Sequence, residues 1–438
     1  MGYIETMQSF SSSSSSLSLP SPPISQSVSV SLSSEPPESR YHRILKFKDL
    51  LMLGLSMTIG SGIFVLIDVM ASHSHQLMWL SVLAAGVVSL MTSFSYGELA
   101  GMFQNNMGEA DYIRSVTNDL WANVSGICIL ISDIFILATI SLGLGHYLSV
   151  PTQISPVISA IISVIVLNYL NYRGLRLSAN ISQCALFLKL GAILLIIICG
   201  LINHHPQESL LSTNNVTASS FSAASIIGLF AYIGFNNMTN FTEETQKPEV
   251  TMGRAITTTV ASVTVIYTLL AISALCIMTT IQLSRSTTPM ATIFGQLFGS
   301  YGYVFLIGLA IISLLDTLLV SSVSESRYMH SFLSKLSPWY GQQDMDPQTR
   351  TPYWTIILLT FLTVVVIILF QQIGTIAVFG DLLILAIFVV VNIVTIILRI
   401  RHPETPRPFK VPFNIGRIPI PSVIGALLGI YGIYHYVI

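Results

Sequence analysis

The chain has 438 residues, of which 52% are hydrophobic and only 9% charged, and its mean hydropathy is +0.72. This composition is typical of a polytopic membrane protein and leaves no room for a large soluble domain. A net charge of -1 with a sequence pI near 6.7 argues against a nucleic-acid partner, because no basic patch lies outside the short connecting loops.

The first 42 residues are rich in serine and proline and include a serine run at 11–16. They lack the apolar residues needed to build a core, so we expect residues 1–42 to be a disordered tail. No basic segment followed by an apolar stretch begins the chain, which argues against a cleaved signal peptide.

Apolar runs of about 17 to 25 residues predict eleven membrane-spanning helices. They lie at residues 50–70, 77–103, 121–148, 154–170, 178–202, 221–241, 255–281, 301–328, 354–371, 374–398 and 419–437. The predicted fold class is therefore an all-α integral membrane protein. With the N-terminus in the cytoplasm, every lysine and arginine except Arg285 and Lys189 falls on the cytoplasmic side, as the positive-inside rule requires.

The first span is interrupted at residues 58–64 (TIGSGIF). A helix break in lipid frees backbone amides that no lipid group can satisfy, so it must face a cavity or a ligand. Amides at the start of a half-helix carry partial positive charge, which suits a carboxylate. The sequence therefore predicts a substrate site at this break.

A second interruption, at residues 228–237 (GLFAYIGFNN), occupies the matching place in the sixth span. Paired breaks of this kind predict an inverted 5+5 helix repeat with a substrate site at mid-membrane. The ten-helix core would occupy residues 43–418, and residues 419–438 would form the eleventh helix. Ordinary packing glycines, which are frequent between membrane helices, are the alternative explanation of both breaks.

Five motifs in order resemble those of the amino acid–polyamine–organocation (APC) superfamily, the amino acid permeases. They are 60–64 (GSGIF), 95–100 (SYGELA), 230–235 (FAYIGF), 242–249 (TEETQKPE) and 407–412 (RPFKVP). The resemblance covers nearly all of residues 45–437. Residues 236–242 (NNMTNFT) are also similar to the light chains of heteromeric amino acid transporters. Most relatives have twelve spans, whereas this chain is predicted to have eleven.

The resemblance implies a site for a zwitterion between the two breaks. Backbone amides around Ser61, Gly62 and Ile63 would hold the substrate carboxylate. Carbonyls near Phe230, Ala231 and Ile233 would hold the ammonium group, with Phe230 as an aromatic gate. The predicted substrate-binding set is completed by Ile59, Gly60, Tyr232 and Asn236.

Lys189 lies in the middle of the fifth span, where a charged amine costs roughly 2.5 to 3.5 kcal/mol on insertion scales. By resemblance, its position is like that of a lysine that replaces the sodium ion of sodium-coupled relatives in some proton-coupled permeases. Asp316, in span eight, is its predicted counter-charge, so both residues are predicted to serve proton coupling. A snorkelling or permanently paired lysine is the alternative.

Three further acids lie in apolar surroundings. Asp133 in span three is a candidate for selecting a basic substrate side chain, and Asp381 is a candidate to line the substrate path. Glu98 is expected to tie the cytoplasmic end of span two.

The predicted function is a secondary active transporter that moves an amino acid by alternating access, through proton coupling or exchange. A polyamine or cationic amino acid carrier, and an amino acid sensor that binds without transporting, are the alternatives. No nucleophile with a base, phosphate loop or metal-ligand cluster stands out, so neither enzyme activity nor a cofactor or metal is expected.

The chain is predicted to lie in the lipid bilayer of the plasma membrane or of an internal membrane. The loop between spans three and four, residues 149–154, has no cysteine, so no disulfide-linked heavy chain is expected there. The sequence is compatible with a homodimer.

Overall fold

The structure is a computed structural model of the chain. It describes residues 43–60, 62–103, 108–173, 179–203, 209–213, 216–337 and 351–437. The predicted disordered tail at residues 1–42 lies outside these ranges.

Helices run through the apolar segments of the sequence. In chain order they are α1 (Phe47–Thr58), α2 (Gly62–Ser74), α3 (Met78–Met102), α4 (Gly108–Arg114), α5 (Asp119–Thr152), α6 (Pro156–Tyr172), α7 (Ala179–Asn203), α8 (Ala218–Leu229), α9 (Pro248–Ile277), α10 (Thr280–Ser284), α11 (Pro289–Leu336), α12 (Tyr353–Phe370), α13 (Ile373–Arg401) and α14 (Ile420–Val437). Short 3-10 helices span His75–Leu77, Phe230–Tyr232 and Asn237–Glu244. The strands β1 (Asn414–Ile415) and β2 (Ile418–Pro419) pair antiparallel.

Helix starts coincide with residues that favour them. The Asn118 side chain accepts a hydrogen bond from the Trp121 amide at the start of α5, and Thr217 does the same for Ser220 at the start of α8. A proline opens α9, where its missing amide proton is not needed. These caps bind amides that the first turn of a helix leaves without partners.

The described residues form eight helical stretches long and apolar enough to cross a membrane, and α6 and α14 are shorter apolar helices. The predicted all-α membrane fold is confirmed. The count of eleven spans and the 5+5 repeat remain predictions, because within the described ranges length and composition support eight spans.

A segment that follows α13 is anchored on the end of α3 by a buried ion cluster. Glu98, which is 1% exposed, pairs with Arg399 and with Arg407, whose Nε lies 3.0 Å from Glu98 Oε1. The Val411 amide also donates to Glu98, at 2.8 Å. The prediction that Glu98 ties this end of the helix is confirmed.

Helix α11 is longer than predicted. The apolar run indicated residues 301–328, whereas the helix extends over Pro289–Leu336 with a kink at Gly299. Gly299 has a φ of 68°, a conformation that glycine adopts without strain, and this allows one helical stretch to follow another without a loop.

Candidate functional site

Two helices are interrupted in the middle of the molecule. Helix α1 ends at Thr58 and α2 begins at Gly62. Helix α8 ends at Leu229 and continues as the 3-10 turn Phe230–Tyr232. The chain then passes Gly234, with a φ of 123°, before the 3-10 helix Asn237–Glu244. Both interruptions fall where the sequence predicts them, although Ser61 lies outside the described residues.

The two interruptions are in direct contact, backbone against backbone. A Cβ atom added to Gly62 would lie 2.1 Å from the Cα of Ala231, and one added to Gly234 would lie 3.1 Å from the carbonyl carbon of Met57. Glycine at these two places therefore lets the broken segments approach closely.

The carbonyl end of α1 is bound by two buried side chains. Lys189, from α7, donates from Nζ to the carbonyl oxygen of Ser56 at 3.1 Å. The Tyr267 hydroxyl, from α9, donates to the carbonyl oxygen of Thr58 at 2.9 Å. The last carbonyls of a helix lack partners within it and carry partial negative charge, which a lysine ammonium stabilises.

Ser56 joins Lys189 to Asp316. While its carbonyl accepts from Lys189, its hydroxyl donates to Asp316 Oδ2 at 3.0 Å. Lys189 is fully buried and Asp316 is 3% exposed. The structure thus brings together, through one serine, the two opposite charges that the sequence places in spans five and eight.

A small cavity lies beside the breaks. Its volume, about 10 Å³, is on the order of that needed for a single water molecule. Ile136, Ile140 and Phe230 contribute apolar groups to its wall. Asn237, Thr317 and Ser321 contribute polar ones.

The predicted substrate-binding residues within the described ranges are all buried around these contacts. They are Ile59, Gly60, Gly62, Ile63, Phe230, Ala231, Tyr232, Ile233 and Asn236. Two of their side chains hold the second break in shape. The Tyr232 hydroxyl donates to the Val82 carbonyl at 3.0 Å, and the Asn236 carboxamide accepts from the Gly234 amide at 3.2 Å.

A larger cavity, of about 400 Å³, opens between α1, α7, α11 and the 3-10 helix Asn237–Glu244. Its volume is within the range of small-molecule sites. Ser56 lines it, so it reaches the residue that joins Lys189 to Asp316. Another lining residue, Arg327, pairs with Glu244 at 2.8 Å and lies 5.6 Å from the Phe241 ring centroid.

Asp133 lies next to a second buried acid. It is hydrogen-bonded to Glu325 of α11, and it is not among the described residues that line the small cavity. Glu325 accepts from Asn237 Nδ2 at 2.7 Å. Sequence reasoning missed Glu325, although its spacing from Thr317 and Ser321 places all three on one face of α11.

Asp381 is also fully buried, in α13. Neither of its carboxyl oxygens has a hydrogen-bond partner in the described part of the chain. It does not line the small cavity as far as the described residues show.

The chain is similar to known transport proteins over most of its length. The family model described as "Amino acid permease" matches residues 45–435. A methylthioribose transporter of Bacillus subtilis is 24% identical over 429 residues, which cover 92% of this chain and 90% of the relative. A branched-chain amino acid permease of the same organism is 23% identical over 400 residues, 86% of this chain and 85% of the relative. The chloroplastic cationic amino acid transporter 7 of Arabidopsis thaliana is 24% identical over 376 residues, 77% of this chain and 64% of the relative.

Proposed function

Because this chain belongs to the amino acid permease family, we propose that it is a secondary active transporter that moves an amino acid across a membrane by alternating access. The observation that carries the proposal is the contact between the two broken helices, where Gly62 meets the backbone of Ala231. One break offers the start of a half-helix and the other offers unwound backbone. Together they suit a ligand that carries one negative and one positive group.

Within this site, the amides at the start of α2, at Gly62 and Ile63 together with Ser61, bind the substrate carboxylate. The carbonyls near Phe230, Ala231 and Ile233 bind its ammonium group, and the Phe230 ring covers the substrate. The small cavity beside the breaks holds no more than about one water molecule. The site must therefore expand to admit an amino acid, as alternating access requires.

The expansion involves α1 and the 3-10 helix Asn237–Glu244 as one unit. The Leu45 amide donates to the Glu244 carbonyl at 2.9 Å, and the Gln246 amide donates to the Leu45 carbonyl at 2.8 Å. The larger cavity borders both elements, so their outward movement would join it to the substrate site. That movement has to separate Arg327 from Glu244.

Lys189 and Asp316 couple this movement to a proton. Ser56 connects both to the end of α1. Loss of the ammonium charge would weaken the attraction between Lys189 and the partial negative charge of that helix end. The protonation state of Lys189 would then bias the position of α1. Exchange of one amino acid for another is the alternative mode of transport.

The distribution of lysine and arginine supports an N-terminus in the cytoplasm. The chain is a multi-pass membrane protein, and the membrane that holds it is the plasma membrane or an internal one. The substrate-binding unit is a single chain, for which neither a homodimer nor a heavy chain is required.

The names of the similar proteins point to other substrates that can be tested. A polyamine or cationic amino acid would place its second positive charge toward Asp133, and the resemblance to a cationic amino acid transporter favours testing this. Methylthioribose carries no carboxylate or ammonium group, so its transport would not use the charge complementarity of the two breaks. A sensor would bind an amino acid without moving it.

Counterflow in proteoliposomes tests the proposal. Vesicles with purified protein are loaded with one unlabelled compound and supplied with the labelled compound outside. The panel holds neutral, acidic and basic amino acids, polyamines and methylthioribose. We expect accumulation of at least one labelled amino acid. Binding of an amino acid without any exchange would identify a sensor and overturn the transport proposal.

A further inference from the structure

We propose that Asp133 and Glu325 form a proton-binding site next to the substrate cavity, which takes up and releases one proton as the protein changes conformation. This inference rests on the proposed transport function, because it adds to it a second coupling site, which acts in series with Lys189 so that the loss of either site removes the response to a proton gradient. It is separate from Lys189, which binds the end of α1 through Ser56.

The position of the pair follows from helical spacing. Asp133 precedes Ile136 by nearly one turn on α5, and Glu325 follows Ser321 by one turn on α11. Ile136 and Ser321 both line the small cavity. The two acids therefore lie about 5 Å beyond the cavity wall, on the helix faces that form it.

The contact between the two acids requires a proton. Asp133 is 2% exposed and Glu325 is 1% exposed, and their carboxyl groups are hydrogen-bonded to each other. No N–H or O–H group of the described residues reaches Asp133 Oδ1. An ionised carboxylate only accepts hydrogen bonds, so one of the two groups must be protonated to donate.

The charge of the acid pair depends on whether it holds this proton. With one proton the pair carries a single negative charge, and the protonated carboxyl donates to the ionised one. When the O–H bond breaks and the proton passes to water, both groups become carboxylates and no other bond changes. Two buried like charges in contact repel each other, and burial disfavours both. Loss of the proton therefore favours separation of α5 from α11.

Further titratable groups lie near the pair. Glu109 of α4 and Tyr328 of α11 interact electrostatically with the pair. Glu109 in turn accepts from the Tyr96 hydroxyl of α3 at 2.9 Å, and Asp111 also acts on Tyr328. Among the described residues, no three acids, histidines or cysteines are arranged to hold a metal ion.

Asn237 connects the acid pair to the substrate cavity. It lines that cavity and donates to Glu325 Oε1 at 2.7 Å. Its own carboxamide oxygen accepts from Asn236, which binds the Gly234 amide at the break. A change in charge at Glu325 is thus transmitted by two side chains to the broken helix.

Infrared difference spectroscopy of the purified protein tests the bound proton directly. At neutral pH, wild type minus Glu325→Gln and wild type minus Asp133→Asn should each show the C=O absorption of a protonated carboxyl group. The exposed Glu404 offers a matched control, since Glu404→Gln should leave this absorption unchanged. Lys189→Met should also leave it unchanged. Equal absorption in wild type and both acid variants would overturn the proposal.

Uptake with and without an inward proton gradient tests the coupling. The ratio of the two rates should fall to one in Glu325→Gln and in Asp133→Asn, because each amide mimics the protonated group and cannot release a proton. For a single bound proton, the wild-type equilibrium should change by up to about tenfold per pH unit. An unchanged ratio in both variants would overturn the coupling role. If wild type shows no counterflow of any compound, the transport function fails, while the infrared result still decides whether the pair holds a proton.

Discussion

Substitution of Gly62, which contacts Ala231, can distinguish a substrate site from simple helix packing. In Gly62→Ala the new Cβ would lie 2.1 Å from the Ala231 Cα, and ordinary van der Waals contact begins at 3.4 Å. The nearest atom belongs to the Ala231 backbone, and the alanine has no flexible side chain that could rotate away. Overpacking of this kind costs about 1 to 3 kcal/mol. The two breaks must move apart, which spreads the groups that bind the carboxylate and the ammonium.

We therefore expect Gly62→Ala to fold but to bind substrate roughly tenfold to a hundredfold more weakly, since about 1.4 kcal/mol corresponds to a factor of ten. Gly62→Val, with a larger side chain, should lose binding entirely. The control is Gly308→Ala, because a Cβ at Gly308 in α11 meets nothing within 4 Å. Binding is measured with purified protein by titration calorimetry. Wild-type affinity in a folded Gly62→Ala protein would show that this glycine serves helix packing only.

Three further predictions concern charged residues. Lys189→Met removes the donor to the Ser56 carbonyl and should abolish the acceleration of uptake by an inward proton gradient; an unchanged response would remove Lys189 from coupling. Glu98→Gln leaves Arg399 buried without its carboxylate and should lower stability by about 3 to 5 kcal/mol, seen as a lower Tm; an unaltered Tm would contradict a stabilising role. Burial raises the pKa of Glu109, in α4, above its ordinary value of 4.5, so the folded protein keeps a proton that the unfolded chain has lost. Stability should therefore decline as pH rises above that value, and Glu109→Gln should flatten the decline in Tm measured against pH; equal slopes would count against this assignment.

The broken helices could be predicted because glycine and polar residues stand out within the apolar sequence of a membrane span. Glycine and serine at 58–64, and glycine with amides at 228–237, interrupt apolar runs, and a helix break within lipid needs a cavity or a ligand to face. Lys189 and Asp316 stand out in the same way, since a lone charge in a span requires a partner. The structure supplied Ser56 as the residue that joins them.

Other features depend on contacts that spacing along the chain does not reveal. Glu325 lies in a polar stretch, 321–327 (SSVSESR), which has the composition of a helix end, and its partner Asp133 is on a distant helix. The sequence also could not show which glycine meets which backbone. The approach of Gly62 to Ala231 depends on how α2 and the second break are oriented. Helix α4 is too short to give a periodic apolar pattern.

Competition between substrate analogues tests whether the two breaks bind the two charged groups of an amino acid. In proteoliposomes, counterflow of the labelled amino acid is measured against an excess of its α-amide, which lacks the carboxylate, and of its deaminated acid, which lacks the ammonium group. We expect the intact amino acid to compete and neither analogue to do so. Competition by both analogues equal to that of the intact amino acid would show that the site does not bind these groups.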